Sequence, residues 1–148
     1  MTLPDVDFIV ATVSGAGIAG NVEAPIIGHM NAMTAQLKFR TFSAESLKLL
    51  EPREHNIDLR APQQVYDPIA GVYKTQSVKH VLVLVPKTLS NGNIAPASPT
   101  DGSGSYAVRR WVTYIDDAKV MELDPYNYIC EVNGVDYLSD TRKALGKS

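Results

Sequence analysis

The chain has 148 residues, a length that fits a single domain over residues 1–148 with a core of its own. Hydrophobic residues make up 45% of it and its formal net charge is −2, which excludes the strongly basic surface typical of nucleic-acid-binding proteins. The single cysteine, Cys130, is expected to be buried, and it excludes an intramolecular disulfide framework or a site with several cysteine ligands.

The N-terminal segment, residues 1–25, is predicted to be flexible and rich in glycine. It lacks the pattern of a signal peptide, so a cytoplasmic origin is expected. A strand-like run at 8–13 precedes Gly15-Ala16-Gly17-Ile18-Ala19-Gly20, which satisfies the G-x-G-x-x-G fingerprint of dinucleotide-binding loops. Pro25 and Gly28 interrupt the helix that should follow it. A glycine loop ordered by neighbouring subunits is therefore preferred, and a nucleotide-binding enzyme is the weaker alternative.

Short elements are predicted between residues 29 and 74. The stretch His29–Phe42 mixes helical and alternating spacing, and a strand is favoured. A helix is predicted over residues 43–50, with a capping serine at its start and Pro52 after its end. Asn56–Ala61 alternates as a strand, and residues 66–74 are expected to form a polar, hairpin-like connection.

A core strand and a long loop are predicted in the middle of the chain. Val78–Val85 is β-branched and aliphatic, as in a strand that enters the core. The longest apolar run, Val81–Pro86, is too short to span a bilayer, so no membrane insertion is expected. Residues 89–105 are rich in Ser, Gly, Pro and Asn without periodicity, which predicts a long loop.

Ser105–Ile115 is predicted to be a strand in which neither face is simply exposed to solvent. Arg109 and Trp111 alternate onto one face, whereas Arg110 falls on the other. The two arginines are therefore not expected to form a basic patch, and partner subunits as well as the core are expected to cover the strand. A turn of two aspartates leads to a second strand at Lys119–Leu123, which predicts a β-hairpin.

The C-terminus has the pattern of a strand, a tight turn and a helix. Residues 124–127 break the chain at a proline, and Tyr128–Val132 continues as a strand to a turn at Asn133-Gly134. A helix is predicted over residues 136–145, with Asp136 as its cap. Leu138, Arg142 and Leu145 fall near one face, and the two leucines are expected to dock the helix on its own protomer or on a neighbour.

No constellation in the sequence predicts catalysis or metal binding. His29, His55 and His80 are isolated from other metal-ligating residues. The acidic residues between 116 and 124 lack the regular oxygen series of a calcium loop. No serine lies in a nucleophile elbow, so neither an enzyme activity nor a cofactor is expected.

Three stretches carry a resemblance to a known family. The specific one is C-terminal: Glu122–Asn127, Val132–Leu138 and Arg142–Gly146. Two weaker ones are the glycine stretch with Glu23 and Pro25 after Leu3-Pro4, and Leu59-Arg60 followed by Gln63 or Gln64 and Asp67. In these stretches the chain resembles the major tail tube proteins of contractile-tailed phages and R-type bacteriocins. Members of that family usually carry a further segment before the Leu-Pro pair.

The resemblance implies a structural protein with a small antiparallel β-sandwich or barrel, one short internal helix and a C-terminal helix. Six copies would form a ring, and stacked rings would form the inner tube that delivers DNA or an effector. The implied partners are further copies of the chain, the sheath protein, baseplate and tail terminator proteins, the tape measure protein, and double-stranded DNA in transit without specific binding. The tube would be assembled in the bacterial cytoplasm and end in the virion tail or a phage-like particle.

The resemblance and the patterns together nominate residues for subunit contacts. The candidates are Gly15, Gly17, Gly20, Glu23, Pro25, Arg60, Arg109, Trp111, Asp136, Leu138, Arg142 and Leu145. A monomeric β-sandwich that binds a ligand through the loop at 89–105 is the competing interpretation.

Overall fold

Antiparallel strands dominate the computed structural model, which describes residues 1–40, 43–92, 94–98 and 100–147 without the side chain of Ser46. The elements are β1 (Phe8–Val13), β2 (Val22–Met30), β3 (Met33–Phe39), α1 (Ala44–Lys48), β4 (His55–Asp67), β5 (Val72–Ser90), β6 (Gly102–Ile115), β7 (Ala118–Asp124), β8 (Ile129–Val132), β9 (Val135–Asp136) and α2 (Ser139–Ala144). The predicted mainly β, antiparallel class is confirmed. Within the described ranges, no helix is long and apolar enough to cross a membrane.

β6 is the central strand of the larger sheet. One of its edges pairs with β5, which in turn pairs with β4. Its other edge pairs first with β3, from Gly102 to Val108, and then with β7, from Trp111 to Ile115. β8 and β9 continue the sheet beyond β7. This path of strands remains open over the residues that the structure describes, so the sheet is not a closed barrel.

One face of the sheet carries the hydrophobic core. Buried side chains alternate along the central strands because successive residues of a strand point to opposite faces. The cluster contains Met33, Ala35, Leu82, Leu84, Tyr106, Val108, Trp111, Leu123, Cys130 and Leu138. Cys130 is buried as predicted, and burial raises the pKa of its thiol.

The predicted long loop at residues 89–105 is wrong at both ends, because β5 continues to Ser90 and β6 already begins at Gly102. A Cβ atom at Gly104 would come within 2.9 Å of the Tyr106 ring, so glycine leaves room for that buried side chain. Small residues that look like a loop in the sequence therefore form a crowded segment between β3 and β5.

The N-terminal half contains more strand than the sequence predicts. The stretch that begins at His29 belongs to two strands, β2 and β3, and residues 41–42 at its predicted end lie outside the described residues. Helix α1 is shorter than the predicted 43–50. β4 and β5 continue through most of the predicted connection at 66–74. β4 tolerates Pro62 because it is the edge strand of the sheet.

Candidate assembly surfaces

β1 and β2 form an apolar hairpin, here called the arm (residues 8–30), that stands apart from the larger sheet. The two strands pair with each other and with no other strand in the described part of the chain. Every residue of β1 is exposed, and Ile27 on β2 is 71% exposed. The large exposed side chains of the arm are Phe8, Ile9, Val10, Val13, Ile18, Val22, Ile26 and Ile27. An isolated two-stranded hairpin is only marginally stable in water, so we expect another molecule to cover this apolar surface.

The glycine-rich run forms the end of the arm. Gly17 and Gly20 have φ values of +92° and +123°, which glycine adopts without steric cost. A Cβ atom at Gly15, Gly17 or Gly20 would have no neighbour within 4 Å, so the loop projects into open space. β2 follows the loop where a dinucleotide-binding fold would have a helix. The run therefore turns a hairpin and does not present a helix N-terminus to a phosphate.

The base of the arm is fixed to the C-terminal region at Gly28. This buried glycine has a φ of +76°, and a Cβ atom there would overlap the side chain of Leu138. Beside this contact lies an apolar cleft of about 250 Å³, here called the arm cleft. Phe8 and residues 25–28 line one side, and Cys130, Val132 and Tyr137 line the other. No charged residue is among those lining residues.

A second apolar projection is the end of the β4–β5 hairpin, here called the hairpin tip (residues 65–73). Beyond the pair Val78–Ile115, β5 no longer pairs with β6, and β4 and β5 continue as a two-stranded hairpin. The large exposed side chains of the tip are Val65, Tyr66, Ile69, Val72 and Tyr73, and Ile69 is 98% exposed.

Hydrogen bonds hold the hairpin tip in one shape. The Asp67 carboxylate accepts hydrogen bonds from the backbone N–H groups of Ile69 (3.0 Å) and Ala70 (3.3 Å). The backbone carbonyl of Asp67 accepts a further one from the N–H group of Gly71 (2.8 Å). Lys74 Nζ lies 3.0 Å from Asp67 Oδ2, and this contact lowers the pKa of Asp67. The Tyr66 and Tyr73 rings pack with centroids 5.2 Å apart.

The face of the sheet opposite the core carries a network of ion pairs. Arg110 Nη2 lies 2.6 Å from Glu122 Oε1, and Lys119 Nζ lies 2.8 Å from Glu122 Oε2. Lys119 also lies 3.4 Å from Glu131. Burial alone would raise the pKa of Glu122, but the hydrogen bonds from Lys119 and Arg110 outweigh it and lower that pKa. The network is therefore charge-balanced and includes one buried carboxylate.

The prediction that Arg109 and Arg110 lie on opposite faces is wrong, because a β-bulge interrupts β6. Arg110 pairs with Val83, whereas the next pair joins Val108 to Leu84, so Arg109 has no partner in the ladder. Arg110 contacts Glu122, and Arg109 lies 4.0 Å from Asp124. These two acids are two residues apart on β7 and therefore lie on the same face of that strand. Arg109 Nε also lies 2.6 Å from Glu54 Oε1, without the alignment of a hydrogen bond. The two arginines form no basic patch because both are paired with acidic residues, and not because they lie on different faces.

The C-terminal helix α2 is held mainly by the residues just before it. The predicted cap is wrong: Asp136 belongs to β9, and its Oδ1 atom accepts a hydrogen bond from Leu138 N (3.1 Å) before the helix begins. Arg142 donates to Tyr128 O (2.8 Å) and to Asp136 Oδ2, and the latter contact lowers the pKa of Asp136. Leu138 is 3% exposed, whereas Leu145 is 53% exposed. Within the protomer, Leu138 therefore anchors the segment and Leu145 does not.

Residues 1–146 match the family model of the phage tail tube protein FII. The chain belongs to the phage tail tube protein FII family. No curated protein matches it. Membership in this family makes the chain a structural component of the virion tail that assembles with copies of itself into a tube, together with other tail components.

The tail tube protein places its predicted contact residues in three environments. Glu23 and Pro25 join the three glycines on the exposed arm, and Arg60 is exposed on β4. Arg109, Asp136 and Arg142 are engaged within the protomer, as described above. Leu138 and Trp111 are buried; the Trp111 indole donates a hydrogen bond to His80 Nδ1 (3.2 Å), and burial lowers the pKa of His80.

The sequence interpretation missed the hairpin tip as a candidate surface. Its signal was present: Val65-Tyr66 and Val72-Tyr73 flank an Asp-Pro and Gly turn, which is a pattern of paired strands. The aspartate, proline and glycine of the turn indicate a polar connection, although apolar pairs flank them on both sides.

Proposed function

We propose that this tail tube protein forms hexameric rings, and that these rings stack into the inner tube of a contractile tail or of a phage-like injection particle. The observation that carries the proposal is the family match over residues 1–146. The tube is proposed to act as the conduit for DNA or an effector. The open strand edges and the exposed apolar hairpins of the protomer support this function, because self-assembly would cover them.

Open strand edges support ring formation. β4 is a 13-residue edge strand that pairs with β5 alone among the described strands. A long unpaired edge is a template for another strand, and an orderly ring removes this hazard by pairing every edge. A head-to-tail contact of one edge with a different edge closes a ring when the rotation between copies closes.

The apolar arm and the hairpin tip support stacking of the rings. Both project beyond the core as two-stranded hairpins, and both end in exposed aliphatic side chains, such as Ile18 on the arm and Ile69 on the tip. Contacts between such projections and the next ring would bury surface that a monomer leaves in water.

We place the lumen on the polar face of β4, β5 and β6. Register brings Arg60 beside Lys79 and Lys79 beside Tyr114, whose ring contacts Lys79 Nζ at 5.2 Å from its centroid. Asp58 lies on the same face of β4, and the charge-balanced network of Glu122 continues the face on β7. Such a mixture offers DNA no continuous basic lining, and a basic lining would hold phosphates in a salt-dependent way.

The remaining partners follow from the position of the tube. The sheath protein would surround it, baseplate and tail terminator proteins would meet its ends, and the tape measure protein and then double-stranded DNA would occupy the lumen. Assembly would take place in the bacterial cytoplasm.

Electron microscopy of the purified full chain tests the function. Negative-stain images should show rings or tubes, and native mass spectrometry should show a species of six 16.1 kDa chains. In a filter-binding assay, double-stranded DNA should bind weakly and with little dependence on salt. A protein that stays monomeric at high concentration, with a saturable ligand site, would instead be a binding module.

A further inference from the structure

The hairpin tip is a preformed apolar knob. Ile69 stands at its apex with 98% of its surface exposed, and the hydrogen bonds to Asp67 fix the backbone around it. A residue held in this way loses little conformational freedom when it is buried, so the tip is suited to insertion into a cavity.

The arm cleft is a recess that suits such a knob. Its volume of about 250 Å³ exceeds that of one isoleucine side chain, and the described residues that line it are uncharged on both sides. Gly28 and Leu138 fix the arm at the base of the cleft, so the recess exists before any partner binds.

A protomer cannot fill its own cleft with its own tip. Register places Cys130, in the cleft wall, level with Leu123, Trp111 and then Leu82 on β5. Leu82 lies about 33 Å along β5 from Val72, where the tip begins, at the rise of an extended strand. A tip that occupies the cleft must therefore come from another molecule.

Self-assembly of the family selects the tip of a second copy as that occupant, and the charges on the two surfaces do not oppose it. Residues 1–37, which include the arm, contain Asp5, Asp7 and Glu23 and no lysine or arginine. Residues 60–79, which include the tip, contain Arg60, Lys74 and Lys79 against the single acid Asp67. At the tip, Lys74 pairs with Asp67, and Lys79 lies about 23 Å along β5 from Val72, so the tip itself is charge-balanced and does not repel the acidic arm.

We propose that the hairpin tip of one copy inserts Ile69 into the arm cleft of a second copy. The inference rests on the proposed self-assembly and names the contact that joins the copies. Because the tip and the cleft are different surfaces of one chain, the contact is head-to-tail. As the stacking contact proposed above, it leaves free tips at one end of the stack and free clefts at the other, so further rings can be added.

Two matched substitutions test the knob. Ile69→Asp should lower the assembled fraction at least tenfold in sedimentation and negative-stain images, because a carboxylate would enter an apolar recess beside acidic residues. The control is Ile94→Asp, since Ile94 is 100% exposed but lies in the connection between β5 and β6. At a concentration at which all three proteins are dissociated, both variants should keep the wild-type urea midpoint, since neither side chain is packed in the protomer.

Cross-linking tests the cleft. Full chains carrying Ile69→Cys and Tyr137→Cys are mixed under mild oxidation, and mass spectrometry should identify a disulfide between positions 69 and 137; a mixture of Ile94→Cys and Tyr137→Cys is the control. If wild type assembles but Ile69→Asp assembles equally well, or the 69–137 link forms no faster than the control link, the inference is wrong and the proposed function stands. If wild type never assembles, both fail.

Discussion

Replacement of Leu138 with alanine should destabilise the protomer by about 3 to 5 kcal/mol. Leu138 is 3% exposed within the core cluster, so the substitution removes three carbon atoms from an apolar environment. At about 0.8 kcal/mol for each buried methylene group, the lost transfer free energy is roughly 2.4 kcal/mol. The cavity that remains where the Leu138 side chain packs against Gly28 adds the rest.

Urea unfolding measures this change in stability. Trp111 is the single tryptophan and is buried, so its fluorescence reports loss of the core. With a slope of about 1 to 3 kcal/mol per molar urea, the midpoint should fall by at least about 1 M. Hydrogen exchange should also accelerate at the arm residues next to Gly28, because the base of the arm packs against Leu138.

Leu145→Ala is the matched control in the same segment. Leu145 is 53% exposed, so its truncation should change the free energy of unfolding by less than about 0.5 kcal/mol. Equal effects of the two substitutions, or a Leu138→Ala effect below about 1 kcal/mol, would refute the reasoning that Leu138 anchors the C-terminal segment and the arm.

Three further predictions concern the ion-pair network, the base of the arm and the glycine run. Because the folded-state pKa of Glu122 is lowered, its stabilisation is complete above the ordinary value of 4.5 and is lost as pH falls through the folded-state pKa. Glu122→Gln should therefore cost about 1.5 to 3 kcal/mol at pH 7, the range for hydrogen bonds to charged groups, and the difference in urea midpoint from wild type should shrink towards pH 3. Gly28→Ala should lower the melting temperature and cost about 2 kcal/mol or more, because it adds a strained φ and an overlap with Leu138, whereas Gly17→Ala, in open space, should cost less. Nucleotides should not raise the melting temperature, since the run Gly15–Gly20 turns a hairpin; a saturable rise that Gly17→Ala abolishes would contradict this.

Strands with strong apolar patterns were predictable from the sequence. Val78–Val85 lies within β5, and the hairpin of Ser105–Ile115 with Lys119–Leu123 matches β6 and β7 closely. The turn at Asn133-Gly134 joins β8 and β9, with φ values of +52° and +81°. These features depend on local residue types, so one sequence is enough to predict them.

Features that depend on register were not predictable. The bulge that leaves Arg109 unpaired arises from the pairing of β6 with β5, and its effect is to bring both arginines to the acids of β7. The loop prediction at 89–105 failed for a related reason. Gly104 leaves room for the buried Tyr106 ring of its own strand, and Gly102 lies against the backbone of Ser90 on β5. Composition alone cannot distinguish such a requirement for small residues from flexibility.

The arm shows the limit of periodicity most clearly. Phe8–Val13 and Val81–Val85 have similar β-branched, apolar sequences, yet the first is exposed throughout and the second is buried or half-buried. An apolar pattern indicates that a strand is covered by something, but it does not indicate by which chain. For β5 the cover is the protomer's own core. For the arm, the protomer covers mainly Gly28 and leaves the rest in water, so the proposed contacts with other copies would supply the energetic reason for its apolar composition.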